Sequence, residues 1–355
     1  MNIAMYLSGS TVDDSSHIQA FIVETSFLLV SQHSDHRFII ITEEKLAEQF
    51  SRYPNAETIP LKPLSNGLLK MIWWDIKLPT MLKKVRADIF ISFRNVCSPA
   101  ASIPQFMFIN DLEKIKRTHL ERARSLFVPG NSIKDKLVRD HSIPEQKIKI
   151  VYPSANKMFG IINDEEKAIT KNKYSTNGEF FLFNSIFPAK EDFITLLKAF
   201  SHFKKRQQSG FKLVLTLPLN SFFERSLAGY KYRNDVVLVG TRTRQELALI
   251  TASAYAVVLP YDNHESLVMG LNAMRSGTPV ITVKQSMINE VAPGAALYAD
   301  SDAVKDIGEK MIQVYTDESY RFKLIEKGKQ VAAANTGERS ADVLWQSISE
   351  ELRLI

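Results

Sequence analysis

The sequence predicts an α/β protein built from two doubly wound parallel-sheet domains that face a cleft. Short apolar runs, typical of strands buried on both faces, alternate along the chain with stretches of helical periodicity. A polar stretch at 156–178 separates two such series and is interpreted as an interdomain linker. The length of 355 residues is sufficient for two full cores. The predicted domains are 1–155 and 179–339, with a last helix at about 340–355 that packs back onto the first domain.

The first series begins with a strand, a polar turn and a long helix. Its strands are predicted at 3–7, 38–42, 58–61, 88–92, 105–109 and 125–129, and its helices at 15–31, at 43–52 and from Asn131 onward. Ser132 and Asp135 resemble a capping box at the start of the last of these helices.

The segment 68–86 is both basic and aromatic. It contains Lys70, Trp73, Trp74, Lys77, Lys83, Lys84 and Arg86 against one acid, Asp75, and is interrupted at Pro79. Two interpretations stay open. Such an amphipathic helix suits a membrane surface, and it equally suits a core-facing helix with a solvated basic face.

The second series has strands predicted at 179–184, 211–217 and 235–239, helices at 192–208 and 220–228, and a capping box formed by Thr243 and Glu246. The stretch 253–282 follows and is the most informative. Ala254 to Leu259 is predicted to be a buried strand, a helix begins near Glu265, Gly277 ends that helix, and a strand starts at Pro279. This order places a polar loop and a helix N-terminus at the carboxyl end of a strand, a position suited to a phosphate.

Composition narrows the classes of function. A net charge of +6 and a pI near 9.1 suit contact with anionic lipids, nucleotides or nucleic acid, although a basic surface without a role is equally compatible. The single cysteine, Cys97, excludes an internal disulfide and fits a reducing cytoplasm. We find no signal-peptide pattern and no apolar run of membrane-spanning length. Neither a Cys/His cluster of metal spacing nor a G-x-G-x-x-G or G-x-x-x-x-G-K-[ST] motif occurs, so no metal, cofactor or nucleic-acid partner is predicted.

The stretch 260–281 reads P-Y-D-N-H-E-S-L-V-M-G-L-N-A-M-R-S-G-T-P-V-I. It resembles the segment P-S-x-x-E-G-F-G-L-P-x-L-E-A-M-A-x-G-T-P-V-I of retaining GT-B glycosyltransferases, in particular the large family four, and aligns without a gap. Further similarity, for example in P-E-Q-K-I-K-I-V-Y-P at 144–153, extends over nearly the whole chain. The resemblance implies a GT-B fold and transfer of a sugar from a nucleotide donor with retention of configuration, without a metal.

The resemblance also implies roles for particular residues. Asn110 and Asp111 align with a His-Asp pair beside the acceptor and the reacting carbon, and together with Glu265 they would be catalytic. The donor would be held by Lys190, Ser185, His264, Glu265, Ser266 and Leu267, with Asn272 at its ribose.

Four of these positions depart from the family pattern. The family arginine of G-R-x-x-x-x-K falls on Ile186, its lysine on Glu191 beside Lys190, its first glutamate on His264 beside Glu265, and its second glutamate on Asn272. Asn272 can hydrogen-bond a ribose without charge assistance. Three interpretations of His264 stay open: a partner for a sugar hydroxyl, a loop residue without a role, and a group that transfers a proton.

The sequence thus predicts a cytoplasmic glycosyltransferase of bacterial cell-surface polysaccharide synthesis. Its acceptor would be a glycan or a lipid-linked sugar, with peripheral contact to the inner membrane. The departures favour an alternative, a catalytically inactive relative that scaffolds or regulates an active glycosyltransferase. A sugar-nucleotide epimerase or a phosphorylase on the same fold is a third hypothesis, although nothing in the sequence marks a lysine for pyridoxal phosphate.

Overall fold

The computed structural model describes residues 1–7, 16–61, 72–109, 112, 115–186, 189–300 and 304–353. The chain forms two compact units. One contains Met1–Pro153 and Gly337–Ile355, and the other contains Ser154–Thr336. Each unit has one parallel sheet with flanking helices, so the predicted α/β class with two doubly wound sheets is confirmed.

The first unit contains a seven-stranded sheet in the order β3-β2-β1-β4-β5-β6-β7. Its strands are β1 (Asn2–Tyr6), β2 (Arg37–Thr42), β3 (Ala56–Pro60), β4 (Ile89–Ser92), β5 (Gln105–Phe108), β6 (Ser125–Val128) and β7 (Ile148–Ile150). Its first helices are α1 (His17–Gln32), α2 (Glu44–Phe50), α3 (Leu78–Lys84), α4 (Arg117–Arg122) and α5 (Asn131–His141). All neighbouring strands pair in parallel, and the strand order reverses between β1 and β4.

The predicted capping box at Ser132 and Asp135 is wrong. Helix α5 begins at Asn131, so its cap position falls on Gly130, whose lack of a side chain leaves the cap without a side-chain hydrogen bond.

The basic and aromatic segment begins, in its described part, with a π-helical turn at Trp73–Lys77 that continues into α3. Trp73 is buried, and the Trp74 ring lies edge-on to Tyr6 with centroids 5.0 Å apart, so both indoles pack against the first unit's core. Lys77, Lys83 and Lys84 are exposed. The interpretation as a core-facing helix with a solvated basic face therefore accounts for the described residues; Lys70 lies outside them. None of the helices in the described ranges is both long enough and apolar enough to cross a bilayer.

The second unit contains a six-stranded sheet in the order β10-β9-β8-β11-β12-β13. Its strands are β8 (Phe180–Asn184), β9 (Lys212–Thr216), β10 (Val236–Leu238), β11 (Ala256–Leu259), β12 (Val280–Val283) and β13 (Leu297–Ala299). Its helices are α6 (Asp164–Ser175), α7 (Lys190–Gln207), α8 (Ser221–Ala228), α9 (Arg244–Ser253), α10 (His264–Arg275), α11 (Met287–Val291), α12 (Val304–Thr316) and α13 (Glu318–Ala334). The strand order reverses between β8 and β11.

The stretch 156–178, interpreted as a linker, contains helix α6 and lies within the second unit. The helix begins with a reciprocal capping box: the Asn163 side chain accepts from the Glu166 N–H (2.8 Å), and the Glu166 carboxylate accepts from the Asn163 N–H (3.2 Å). Near its other end, Tyr174 donates to the Glu246 carboxylate on α9 (3.0 Å). The capping box predicted at Thr243 and Glu246 is confirmed in one half: the Thr243 hydroxyl accepts from the Glu246 N–H (3.2 Å). The Glu246 carboxylate accepts from the Thr243 hydroxyl (3.4 Å) rather than from the Thr243 N–H.

Helix α10 lies at the centre of the second unit and packs closely on two neighbours. A Cβ at Gly270 would come within 2.7 Å of Ile288 on α11, and one at Gly328 on α13 would come within 3.1 Å of Met274. Gly277 follows the helix with a φ of +70°, a conformation that favours glycine, so the predicted helix end is confirmed.

The last helix, α14 (Gly337–Arg353), belongs to the first unit. Glu351 binds Arg124 (3.1 Å), Ser340 donates to the backbone oxygen of Tyr152 (2.8 Å), and the Trp345 ring stacks on His33 with centroids 3.9 Å apart.

Candidate functional site

The candidate site lies at the carboxyl ends of β8 and β11, where the strand order of the second sheet reverses. Doubly wound sheets bind their ligands at such a reversal, because the loops that follow the two strands diverge to opposite faces and leave a crevice. Ser185 follows β8 directly, and Lys190 begins α7 after the same loop. His264 and Glu265 begin α10 after the loop that follows β11. Four of the predicted donor residues therefore come from the two loops that border one crevice.

A partly buried tyrosine joins the ends of the two strands. Tyr261 donates its hydroxyl proton to the backbone oxygen of Asn184, the last residue of β8 (2.8 Å). Asn184 is itself held by its side-chain amide, which donates to the hydroxyl of Thr216 on β9 (2.8 Å). Burial raises the pKa of Tyr261 strongly, a hydrogen bond with the Ser185 side chain acts in the opposite direction, and the charge of Glu265 raises the pKa further. Tyr261 therefore remains a neutral donor that fixes the crevice.

The first turn of α10 is capped from within its own loop. The Asn263 side chain accepts from the Ser266 N–H (2.8 Å), and the Ser266 hydroxyl donates to the backbone oxygen of Asn263 (2.7 Å). The Leu267 N–H donates to the same backbone oxygen (3.2 Å). Ser266 and Leu267 are fully buried. Their amides are thus engaged in the helix cap, and their predicted contact with the donor stays a prediction.

Glu265 and His264 lie next to each other at this helix N-terminus. The Glu265 carboxylate is nearly buried, and His264 Nε2 lies 3.9 Å from one of its oxygens. A carboxylate at a helix N-terminus is stabilised by the helix dipole. The adjacent loop is tied to α11, because Asp262 accepts from the Met287 N–H (2.8 Å). A carboxylate and an imidazole held this way can accept hydrogen bonds from sugar hydroxyls.

Helix α7 brings a cation and a carboxylate to the other side of the crevice. Lys190 is exposed, and its Nζ lies 5.1 Å from the centroid of the Phe222 ring. Ala189, at the cap position, makes no side-chain hydrogen bond. Asp192, in the first turn, is half-buried; burial is the main cause that raises its pKa, and Glu191 adds to it. The Lys190 ammonium and the N-terminus of α7 favour the binding of a phosphate. The negative charges of Glu191 and Asp192 in the first turn act against it.

Asn272 lies two turns further along α10 and is fully buried. Its side-chain oxygen accepts from the N–H of Asn156, near the start of the second unit (2.8 Å). Its predicted role at the ribose stays a prediction, and the structure gives it a structural bond that the sequence did not predict.

Asn110 and Asp111, predicted to face the acceptor, lie outside the described residues. Within the described part of the chain, no group of three His, Cys, Asp or Glu side chains is arranged to hold a metal. Tyr261, Asn184 and Asp192 were missed at the sequence level. The first two carry a pattern that could have found them, a polar residue at or just beyond the carboxyl end of a buried strand.

Residues 164–331 match the family model described as glycosyl transferases group 1. This part of the chain is a glycosyl transferases group 1 domain. The crevice between β8 and β11, with Ser185, Lys190, His264 and Glu265, lies inside this group 1 domain. The predicted family is therefore confirmed for it, including α6 within the stretch interpreted as a linker.

Two kinds of similarity extend this finding. The O-antigen chain mannosyltransferase RfbU of Salmonella typhimurium strain LT2 is 22% identical over 189 residues, which are 52% of this chain and 49% of RfbU. The chain thus matches about half the length of this curated relative.

Solved structures resemble the whole chain in fold. A glycosyltransferase from Rickettsia africae superposes with a TM-score of 0.81 at 14% identity, over 99% of this chain and 98% of the other. HepE from Anabaena, solved in complex with UDP and glucose, superposes with a TM-score of 0.73 at 12% identity, over 99% of each chain. The predicted GT-B fold is confirmed by these neighbours.

Proposed function

We propose that the protein is a glycosyltransferase that moves a sugar from a nucleotide-sugar donor to a glycan or a lipid-linked acceptor. The observation that carries the proposal is the convergence of Ser185, Lys190, His264 and Glu265 at the strand-order reversal of the group 1 domain. The similarity to a mannosyltransferase supports it, as does the similarity to a fold neighbour that binds UDP and glucose.

The donor would lie with its diphosphate toward helix α7 and its sugar toward α10. As the glycosidic bond breaks, negative charge develops on the leaving diphosphate, and the Lys190 ammonium with the α7 N-terminus would stabilise that charge. Glu265 and His264 would accept hydrogen bonds from the sugar hydroxyls, and charge assistance makes the bond to the carboxylate the stronger one. Tyr261 would not touch the donor; it would hold the two loops at a fixed separation.

The reaction would retain the configuration of the donor sugar and would need no metal. Asn110 and Asp111 would lie at the acceptor, with Asn272 at the donor ribose. The place of action would be the cytoplasm, in the synthesis of a bacterial cell-surface polysaccharide, with peripheral contact to the inner membrane. The name of RfbU, an O-antigen chain mannosyltransferase, supports this class of product.

A second candidate is an inactive relative that binds another protein. The observation that favours it is Asn272, because a neutral amide stands where the family has a glutamate and its oxygen already accepts from Asn156. An amide in this position cannot provide the charge-assisted contact of a carboxylate.

Binding and hydrolysis of the donor separate the two candidates. UDP, GDP and their common sugar conjugates are added to the purified protein at millimolar concentration, and the melting temperature and slow release of free sugar are measured. A ligand at a hundred times its dissociation constant stabilises a protein by about 2.7 kcal/mol. For a glycosyltransferase, we expect a shift with one nucleotide family and measurable hydrolysis.

The matched variants are Lys190→Ala and Lys198→Ala, because Lys198 is an exposed lysine further along α7. Lys190→Ala is expected to weaken donor binding by about tenfold, and Lys198→Ala should leave it unchanged. Absence of both binding and hydrolysis with every donor would reject the enzyme and favour the inactive relative.

A further inference from the structure

A second pocket lies at the opposite edge of the same sheet, beside the amino ends of the strands. Its volume is about 430 Å³, within the range of small-molecule sites, which begins at about 300 Å³. It lies among α6, the junction of α9 and β11, the C-terminal end of α10, and α13.

The charge of this pocket is positive. Four cations, Lys167, Lys171, Arg321 and Lys329, outnumber two carboxylates, Glu179 and Glu318. Lys171 pairs with Glu179, and Arg321 pairs with Glu318 (2.9 Å), so these charges offset each other within the pocket. The partners of the other two lysines, Asp164 for Lys167 (3.9 Å) and Glu326 for Lys329 (2.8 Å), do not line the pocket.

Two helix C-termini act against this positive charge. The ends of α9 and α10 border the pocket at Ser253 and Ser276, and helix C-termini carry partial negative charge. The last carbonyl groups of α10 are partly satisfied, because they accept from the N–H groups of Ser276, Gly277 and Thr278. A full ammonium charge outweighs a terminal partial charge, so the pocket still favours an anion.

Three buried polar groups, on residues that line the pocket, have no hydrogen-bond partner within the described part of the chain. They are the hydroxyls of Ser253 and Ser276, both residues being 3% exposed, and the Nε–H of Arg321. Leaving a buried polar group unpaired is unfavourable, so such groups in a native protein call for an explanation. A ligand with several acceptors and donors would satisfy them, with each serine free to select another staggered rotamer.

We propose that this pocket binds a small phosphate monoester that carries hydroxyl groups, of the phosphorylated-sugar class. Lys167 and Lys329 hold the phosphate, because their acidic partners lie outside the pocket. Glu179 and Glu318 accept from the hydroxyls, and Ile161 and Ile325 contact the carbon skeleton. The site is separate from the donor crevice, since it lies at the amino ends of the strands whose carboxyl ends form that crevice.

The test is calorimetric titration of the purified chain with ribose 5-phosphate, and in parallel with inorganic phosphate and with ribose. We expect ribose 5-phosphate to bind with a sub-millimolar dissociation constant. Inorganic phosphate and ribose should each bind much more weakly. Lys329→Ala and Ser276→Ala should each weaken ribose 5-phosphate binding by about tenfold. Lys323→Ala, which removes an exposed lysine of α13 that does not line the pocket, should leave it unchanged.

The donor-site variant Lys190→Ala distinguishes the two sites and is expected to bind ribose 5-phosphate as the wild type does. No binding of ribose 5-phosphate at millimolar concentration would overturn the proposal. So would binding that is lost in Lys190→Ala and kept in Lys329→Ala, or inorganic phosphate that binds as tightly as ribose 5-phosphate. Ser276→Ala keeps the test valid if Lys329→Ala folds poorly, because it removes a hydroxyl that makes no bond.

Discussion

The two ends of helix α10 differ in how their polar groups are satisfied. At the N-terminal end, Asn263 and Ser266 cap each other reciprocally, and Tyr261 in the preceding loop bonds to the end of β8. At the C-terminal end, the hydroxyl of Ser276 is buried and has no partner among the residues that the structure describes, and the same holds for Ser253, which lines the same pocket. Helix α10 thus connects a region whose capping groups are hydrogen-bonded with one that contains two buried hydroxyls without a partner in the described part of the chain.

The difference indicates two ways of preparing a site. A crevice whose loops are already joined by hydrogen bonds needs little reorganisation when a charged ligand binds. Such a crevice suits the stabilisation of a transition state. A pocket with unpaired buried groups gains those bonds only when a ligand enters, so the ligand itself would stabilise this part of the fold.

The largest effect is expected when a complete bond is broken. Asn272→Ala removes the oxygen that accepts from the Asn156 N–H and leaves that buried group unpaired. We expect the free energy of unfolding, measured by urea denaturation, to fall by about 1–3 kcal/mol. A free energy of unfolding equal to that of the wild type would contradict the structural role of Asn272 and would favour its predicted contact with the donor ribose.

Tyr261→Phe should have a smaller effect, because the phenyl ring stays and only the hydrogen bonds of the hydroxyl, to the Asn184 oxygen and with the Ser185 side chain, are lost. We expect a loss of stability of about 1 kcal/mol. Donor affinity should fall as well, since the two loops would no longer be joined, whereas ribose 5-phosphate binding at the second pocket should not change. A matching loss at both sites would show that Tyr261 supports the whole sheet rather than the crevice.

The sequence was sufficient for the elements of the stretch 253–282, and it failed where a bond joins distant residues. Helix α10 and its Gly277 end follow from apolar spacing and glycine chemistry, which act within a few residues. The partners of Tyr261 and Asn272 lie 77 and 116 positions away, and no local pattern marks such pairs.

The errors have a similar physical origin. The polar composition of 156–178 predicts a linker, although Asn163 and Glu166 within it have the spacing of the capping box that begins helix α6. The residue type of Ser132 favours a cap position. The helix starts at Asn131, so the cap position falls on Gly130 and Ser132 lies inside the first turn.

A pH-dependent effect is expected from Asp192. Burial, and then Glu191, raises its pKa in the folded state, so the folded protein binds this proton more tightly than the unfolded chain does. Its contribution is therefore favourable at low pH and is lost as the pH rises from the unfolded value through the raised one. Asp192→Asn removes this loss.

The melting temperatures of Asp192→Asn and wild type are compared across the acidic range and at neutral pH. We expect the melting temperature of the variant to increase relative to that of the wild type as the pH rises. The variant should also bind a nucleotide donor more tightly, because one negative charge near the phosphate is removed. Glu224→Gln, an exposed substitution in the first turn of α8, is the control and should show neither change. If the two melting temperatures differed by the same amount at every pH, the raised pKa of Asp192 would be contradicted.

The smallest effect is expected at the other end of α10, where Ser276→Ala removes a hydroxyl that makes no hydrogen bond. Its free energy of unfolding in urea, without ligand, should stay within about 0.5 kcal/mol of the wild type or rise slightly, because an unpaired buried group is lost. The matched variant is Thr278→Val, which removes a nearby buried hydroxyl that donates to the Thr251 oxygen (2.8 Å) and should cost about 1 kcal/mol. Equal losses in the two variants would mean that the Ser276 hydroxyl is bonded in solution, and the contrast between the two ends of the helix would then not hold.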